Sequence, residues 1–147
     1  MYQHYNGKFG KQVYIIHPGE YLASADPIMI STVLGSCVGV ALYDSRLRVG
    51  GLNHFMLPGS LDSQSFMTSE TGKYGMFAME LLINDLIKMG ARKERLRAKV
   101  FGGGHVLQND VGRDGGVPQS NIRFAFEYLD TESIAVETSD VGGTVGR

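Results

Sequence analysis

One cysteine occurs in 147 residues, and its surroundings carry the chain's clearest chemical signal. Cys37 follows the pair Gly35-Ser36 and precedes the alternating run Val38-Gly39-Val40-Ala41-Leu42-Tyr43. A thiol is a poor nucleophile until it becomes a thiolate, and a neighbouring imidazole can take the proton. One of four histidines, His54, follows in Gly50-Gly51-Leu52-Asn53-His54-Phe55-Met56-Leu57-Pro58. Gly35 and Ser36 could offer backbone N–H groups to a developing oxyanion. A cysteine–histidine pair usually has a third group that orients the ring, and Ser31 and Thr32 are the upstream candidates. His4, His17 and His105 have no evident chemical partner and read as structural or surface residues. One cysteine and scattered histidines give no metal-ligand spacing, so a metal site is disfavoured.

The elements that must bring Cys37 and His54 together read as a hairpin. Val38, Val40 and Leu42 alternate with smaller or more polar residues, the period of a strand buried on one face. Residues 48–57 read as its partner, with Asp44-Ser45-Arg46-Leu47 as a polar turn. Setting Tyr43 opposite Arg48 gives a constant index sum of 91 and places Cys37 directly opposite His54. Opposed residues share a face, with Cβ atoms roughly 4.5 to 5.5 Å apart.

The rest of the chain supplies a scaffold. Strands are expected at Gln12–Ile16, Ile28–Val33, Ala98–Phe101 and Ile134–Thr138. A helix is expected over Tyr74–Met89, where Met76, Met79, Ile83 and Leu86 form a stripe widened by Leu82 and Ile87, with Gly90 as its stop. A second helix is expected from an N-cap at Ser120 through Leu129. The Ser-rich stretch up to Thr71 reads as a polar loop, and Gly102-Gly103-Gly104 as a tight turn or close backbone approach. Lys88, Arg92, Lys93, Arg95, Arg97 and Lys99 form the one basic run, expected as a solvated face, with a docking patch for acidic helices as the sharper alternative. This order implies an α+β (mixed α/β) fold, a single layered domain with an extensive mixed sheet and two main helices. Residues 1–11 are expected as a flexible N-terminal segment and 12–147 as the domain.

Composition narrows the function classes. A net charge of −1 gives no footprint for nucleic acid, and no apolar run is long enough for a membrane span. The polar N-terminus does not read as a secretory signal. A lone cysteine fits a cytoplasmic protein.

Three motifs, Thr32-Val33-Leu34-Gly35-Ser36-Cys37-Val38-Gly39-Val40, the His54-containing run to Pro58, and Lys99-Val100-Phe101-Gly102-Gly103-Gly104, resemble the chemoreceptor glutamine deamidases of the CheD family. Asn121-Ile122 and Asp140-Val141-Gly142-Gly143 are similar to its later landmarks, and the resemblance runs from about residue 12 onward. It implies hydrolysis of glutamine side chains to glutamate on bacterial chemoreceptors, on a layered fold like that of toxin-type cysteine deamidases. By the same resemblance Cys37 is the nucleophile, His54 the base and Ser31, where a threonine is familiar, the third member, with Thr32 as the competing assignment. No cofactor is implied. The implied partners are helical chemoreceptor cytoplasmic segments and a CheC-type phosphatase. The family commonly runs on past the Gly-Gly region with another strand, which the sequence ending at Arg147 is expected to lack. A non-catalytic adaptor that docks on receptor or phosphatase is the competing reading.

Overall fold

A computed structural model describes residues 1–61, 65–107 and 116–147. Asp62, Ser63 and Gln64 of the Ser-rich stretch lie outside the described residues. Two mixed sheets carry the site. The larger has the order β3 (Tyr21–Ser24), β6 (Val49–Phe55), β5 (Val38–Asp44), β7 (Arg97–Gly102) and β8 (Ala135–Val141). All its pairings are antiparallel except β7 with β8. The smaller has the order β1 (Tyr2–Asn6), β2 (Lys11–Ile15) and β4 (Met29–Ser31), with β2 and β4 parallel. The α+β layering thus uses two sheets where one extensive sheet was expected. Residues 1–11, expected as a flexible segment, hold β1 and its turn onto β2.

Both helices lie on one face of the larger sheet. Val38, Val40 and Leu42 are buried on that face, as their alternation predicts, against Met79, Leu82 and Leu86 of α1 (Glu70–Lys88) and Phe124, Ala125 and Leu129 of α2 (Gly116–Thr131). Phe124 stands edge-on to both Phe55 and Phe66. α1 begins four residues before its predicted start because Gly72 and Gly75 act as contact points, not breakers. A Cβ at Gly75 would lie 2.6 Å from the Phe124 ring. Ser69 caps this helix by accepting the Gly72 N–H, and the helix ends at Gly90, whose N–H donates to the Ile87 carbonyl while the Ala91 N–H donates to that of Leu86. Ile87, expected in the buried stripe, is exposed. α2 also starts early, with Pro118 in its first turn. Ser120 therefore lies inside the helix, where its hydroxyl accepts the Leu61 N–H.

The β5–β6 hairpin pairs Val38 with Phe55 and Asp44 with Val49, an index sum of 93 where 91 was expected. Asp44 is the cause. Fully buried at the end of β5, it accepts N–H bonds from Arg46 and Leu47 at Oδ1 and from the Arg92 N–H and Arg95 guanidinium at Oδ2. Those bonds draw Asp44 into the strand and move the loop one residue on, to Ser45–Arg48. They also use part of the basic run internally. Lys93 pairs with Glu132 and Lys99 sits over the Tyr43 ring, so the run is structural in good part.

Burial pushes the Asp44 carboxyl upward, but the Arg92 and Leu47 N–H groups and Arg95 outweigh it and hold the carboxyl below its usual value. A depressed carboxyl stabilises the fold above the unfolded value of about 3.9, and that contribution is lost as pH falls through the folded value. Asp44→Asn should therefore be less stable than wild type at pH 7, with the gap closing below about pH 4. Circular-dichroism melts across pH check this, and a gap that stays constant would show that the charge is not the anchor.

Candidate active site

His54 sits near the end of β6, directly opposite Gly39 of β5. Its backbone is clamped by the turn at residues 17–20: Gly19 N–H donates to the His54 carbonyl (2.8 Å), and His54 N–H donates to the Glu20 carbonyl (3.0 Å). The side chain meets Thr32, whose Oγ1 lies 2.7 Å from Nδ1 and 2.8 Å from the Ile16 carbonyl oxygen. A hydroxyl has one hydrogen, and a carbonyl can only accept. Thr32 therefore donates to Ile16 and accepts from Nδ1–H. That assigns the ring proton to Nδ1 and leaves a lone pair on Nε2. Nε2 is buried and meets no hydrogen-bond partner among the described residues.

Of the two hydroxyls considered for this position, Thr32 holds the ring. The expected strand through Val33 stops at Ser31, the last residue of β4, which pairs with Ile15 of β2, and Thr32 lies just beyond it. Ser31 lines a cavity of about 520 Å³ between the two sheets, together with Ile30, Leu34, Ala41, Leu52 and Phe101. Thr32 also borders that cavity.

Cys37 precedes β5 in a bend, half-buried. With the ladder at index sum 93, its continuation sets Cys37 opposite Met56 and makes His54 its diagonal neighbour on the same face. Diagonal neighbours lie roughly 7 to 8 Å apart, so the expected face is preserved while the direct opposition is not. The thiol and Nε2 are not hydrogen-bonded to each other. Burial pushes the Cys37 thiol above its ordinary value, with its own backbone N–H working the other way. Burial, helped by the nearby His17, pushes His54 down. Both shifts favour the neutral thiol beside the neutral imidazole.

The Gly35-Ser36-Cys37 bend is tied through all three carbonyls. Gly104 N–H donates to Gly35 (2.9 Å), Asn121 Nδ2 to Ser36 (2.9 Å) and Gly103 N–H to Cys37 (2.8 Å). The triple glycine is thus a close backbone approach, made to the cysteine bend itself. A Cβ at Gly102, where φ is +105°, would fall 2.2 Å from the Cys37 carbonyl oxygen. Asn121 also accepts the Leu57 N–H at Oδ1 (2.8 Å), so one buried side chain spans both chemistry-bearing segments. Sequence reasoning marked Asn121 only as a landmark. Its signal was an amide among the apolar positions of α2. Around the bend the surface is apolar: Val33, Met56, Val106, Leu107 and Val145 are all exposed.

Fold and site together define a layered α+β protein with a threonine-locked histidine beside a free cysteine. The chain belongs to the CheD chemotactic sensory transduction family, whose model matches residues 56–147. That match begins just after Cys37 and His54, but similarity to individual relatives covers most of the chain. It is 46% identical over 139 residues to the probable chemoreceptor glutamine deamidase CheD 1 of Shewanella oneidensis, covering 95% of this chain and 66% of that one. The probable chemoreceptor glutamine deamidase CheD of Bordetella petrii is 52% identical over 132 residues, 88% of this chain and 57% of its own. CheD 2 of Burkholderia thailandensis, likewise named a probable chemoreceptor glutamine deamidase, is 45% identical over 144 residues, 98% of this chain and 72% of its own. The chain thus spans 66% and 57% of the length of the first two relatives. Among solved structures, the Bacillus licheniformis hypothetical protein YfiH superimposes with a TM-score of 0.54 at 15% identity, over 83% of this chain and 51% of that one. This likeness supports the layered fold alone. Among the described residues, no helix is long and apolar enough to cross a membrane.

The tautomer is open to direct measurement. Nitrogen-15 NMR should find His54 predominantly protonated at Nδ1, with its charge titration below the ordinary imidazole value near 6.5. Thr32→Val should relax the tautomer ratio toward Nε2–H, and Ser31→Ala should leave it unchanged. Relaxation in Ser31→Ala instead would transfer the orienting role to Ser31.

Proposed function

We propose that this protein is a cysteine-dependent glutamine deamidase that converts glutamine side chains to glutamate on bacterial chemoreceptors. The observation that carries the reading is the unpartnered Nε2 lone pair of His54, held by Thr32 on the face that Cys37 shares. The names of the relatives supply the substrate class.

In this scheme Nε2 takes the Cys37 proton as the sulfur attacks the carboxamide carbon of a glutamine. Backbone N–H groups at Ser36 and Cys37 stabilise the oxyanion. The imidazolium returns its proton to the departing nitrogen, ammonia leaves, and a thioester remains on Cys37. Water then attacks that carbonyl carbon with Nε2 as base, releasing glutamate and restoring the thiol. Thr32 keeps Nδ1 protonated throughout, so Nε2 alone exchanges protons. Ser31 remains the alternative third member.

The exposed apolar rim around the bend suits a folded protein surface, in keeping with a cytoplasmic receptor segment as substrate. A CheC-type phosphatase would compete for the same rim. The whole reaction is placed in the cytoplasm, where a free thiol persists.

Mass spectrometry of receptor cytoplasmic fragments should show glutamine-to-glutamate conversion with wild type. Conversion should fall below detection with Cys37→Ala and by at least about 100-fold with His54→Gln. Receptor binding without conversion by wild type would instead establish an adaptor. The shifts also fix a pH signature. A raised thiol means that iodoacetamide alkylation of Cys37 should climb through a midpoint above the ordinary thiol value of about 8.5. A lowered imidazole means that activity should persist below pH 6.5, failing only when His54 gains its proton. An alkylation midpoint below 7 would reveal a preformed ion pair and overturn the neutral resting state.

A further inference from the structure

Asn121 is completely buried in α2 and makes two bonds of opposite sense. Its Oδ1 accepts from Leu57 N–H, and its Nδ2 donates to the Ser36 carbonyl. Only one orientation of the amide satisfies both, so its direction is fixed. The consequence falls on the next peptide group. In a trans peptide the C=O and the following N–H point in opposite directions, and no cis bond occurs among the described residues. Holding the Ser36 carbonyl toward Asn121 therefore turns the Cys37 N–H away from α2. The Gly104 bond to the Gly35 carbonyl does the same for the Ser36 N–H. Neither N–H meets an acceptor elsewhere among the described residues. Its own N–H faces the Cys37 thiol.

We infer that Asn121 is the positioning residue that aims the Cys37 N–H at the oxyanion of the attacked carbonyl. It touches no substrate; it acts through the Ser36–Cys37 peptide. The Leu57 bond adds a second constraint, since it ties the segment just beyond His54 to the same amide. The inference rests on Cys37 being the nucleophile of the proposed reaction, though not on which carbonyl compound it attacks.

Two reactions of the same thiol separate this role from a structural one. Acylation by p-nitrophenyl acetate forms the thioester through a tetrahedral oxyanion and expels p-nitrophenolate. Alkylation by iodoacetamide forms a thioether by direct displacement of iodide and generates no oxyanion. In Asn121→Asp, which keeps size and the Leu57 bond but sets a carboxylate oxygen against the Ser36 carbonyl, the acylation-to-alkylation ratio should fall at least about tenfold. The alkylation rate measured at its high-pH plateau should stay within about twofold of wild type. Asn121→Ala gives the same readout if the Asp variant fails to fold. Without any variant, the wild-type Cys37 amide proton should move downfield when acetaldehyde adds to the thiol as a hemithioacetal. Both rates falling together, an unchanged ratio, or an unmoved amide proton overturns the inference. Receptor deamidation is measured in parallel. Its absence from wild type would refute the proposed function while leaving the ratio test to decide Asn121.

Discussion

A hydroxyl group can donate only once, and much of the site depends on where Thr32 spends that donation. Because its hydrogen goes to the Ile16 carbonyl, the Thr32 oxygen can serve His54 only as an acceptor. The ring must then be protonated at Nδ1 and basic at Nε2. This ties the chemical state of a histidine in the larger sheet to a carbonyl just beyond β2 in the smaller one. The smaller sheet therefore does more than cover a face. It fixes which nitrogen is the base, and the 17–20 turn that leads from it clamps the backbone carrying that ring.

The cysteine side is built from the other direction, by α2 and the glycine bend after β7. Three consecutive carbonyls are each held by a donor that the helices or the bend supply, so the bend cannot rotate its peptides without losing buried bonds. Burying a polar group unpaired costs about 1 to 3 kcal/mol, which makes these ties mutually reinforcing. The glycines at 102 and 103 both take positive φ, and a Cβ would meet the Cys37 carbonyl at the first and the Ile122 side chain at the second. The proposed base and nucleophile are thus held by separate parts of the fold, and the β5–β6 hairpin is their common reference.

Period-two alternation in β5 was legible because one face is wholly apolar. The register was not legible. Asp44 looked like a turn residue, and only its bonds to Arg92 and Arg95, distant in sequence, draw it into the strand. Helix starts were hidden for a related reason. Gly72 and Gly75 resemble breakers until the Phe66 backbone is seen against the first and the Phe124 ring against the second. β1 and β3 are short and mixed in polarity, so neither carries a period. The choice between Ser31 and Thr32 had no local signal, since it turns on where β4 ends and on a carbonyl contributed from beyond β2. Asn121 was visible only as a polar residue on an apolar helical face, a pattern that marks burial with partners without naming them.

The resting arrangement has a further physical consequence. A thiol raised by burial and an imidazole lowered by it favour a site without charge at rest, in which no buried ion pair has to be sustained. Charge separation is deferred to the moment of attack, when a bound partner would exclude water and strengthen the fixed N–H dipoles. In the proposed reaction the exposed Val33, Met56 and Leu107 are the apolar surface against which such a partner would exclude water. On the proposed reading, a neutral resting pair, a locked tautomer and an apolar rim are parts of one constraint, in which reactivity rises against a surface that covers the bend.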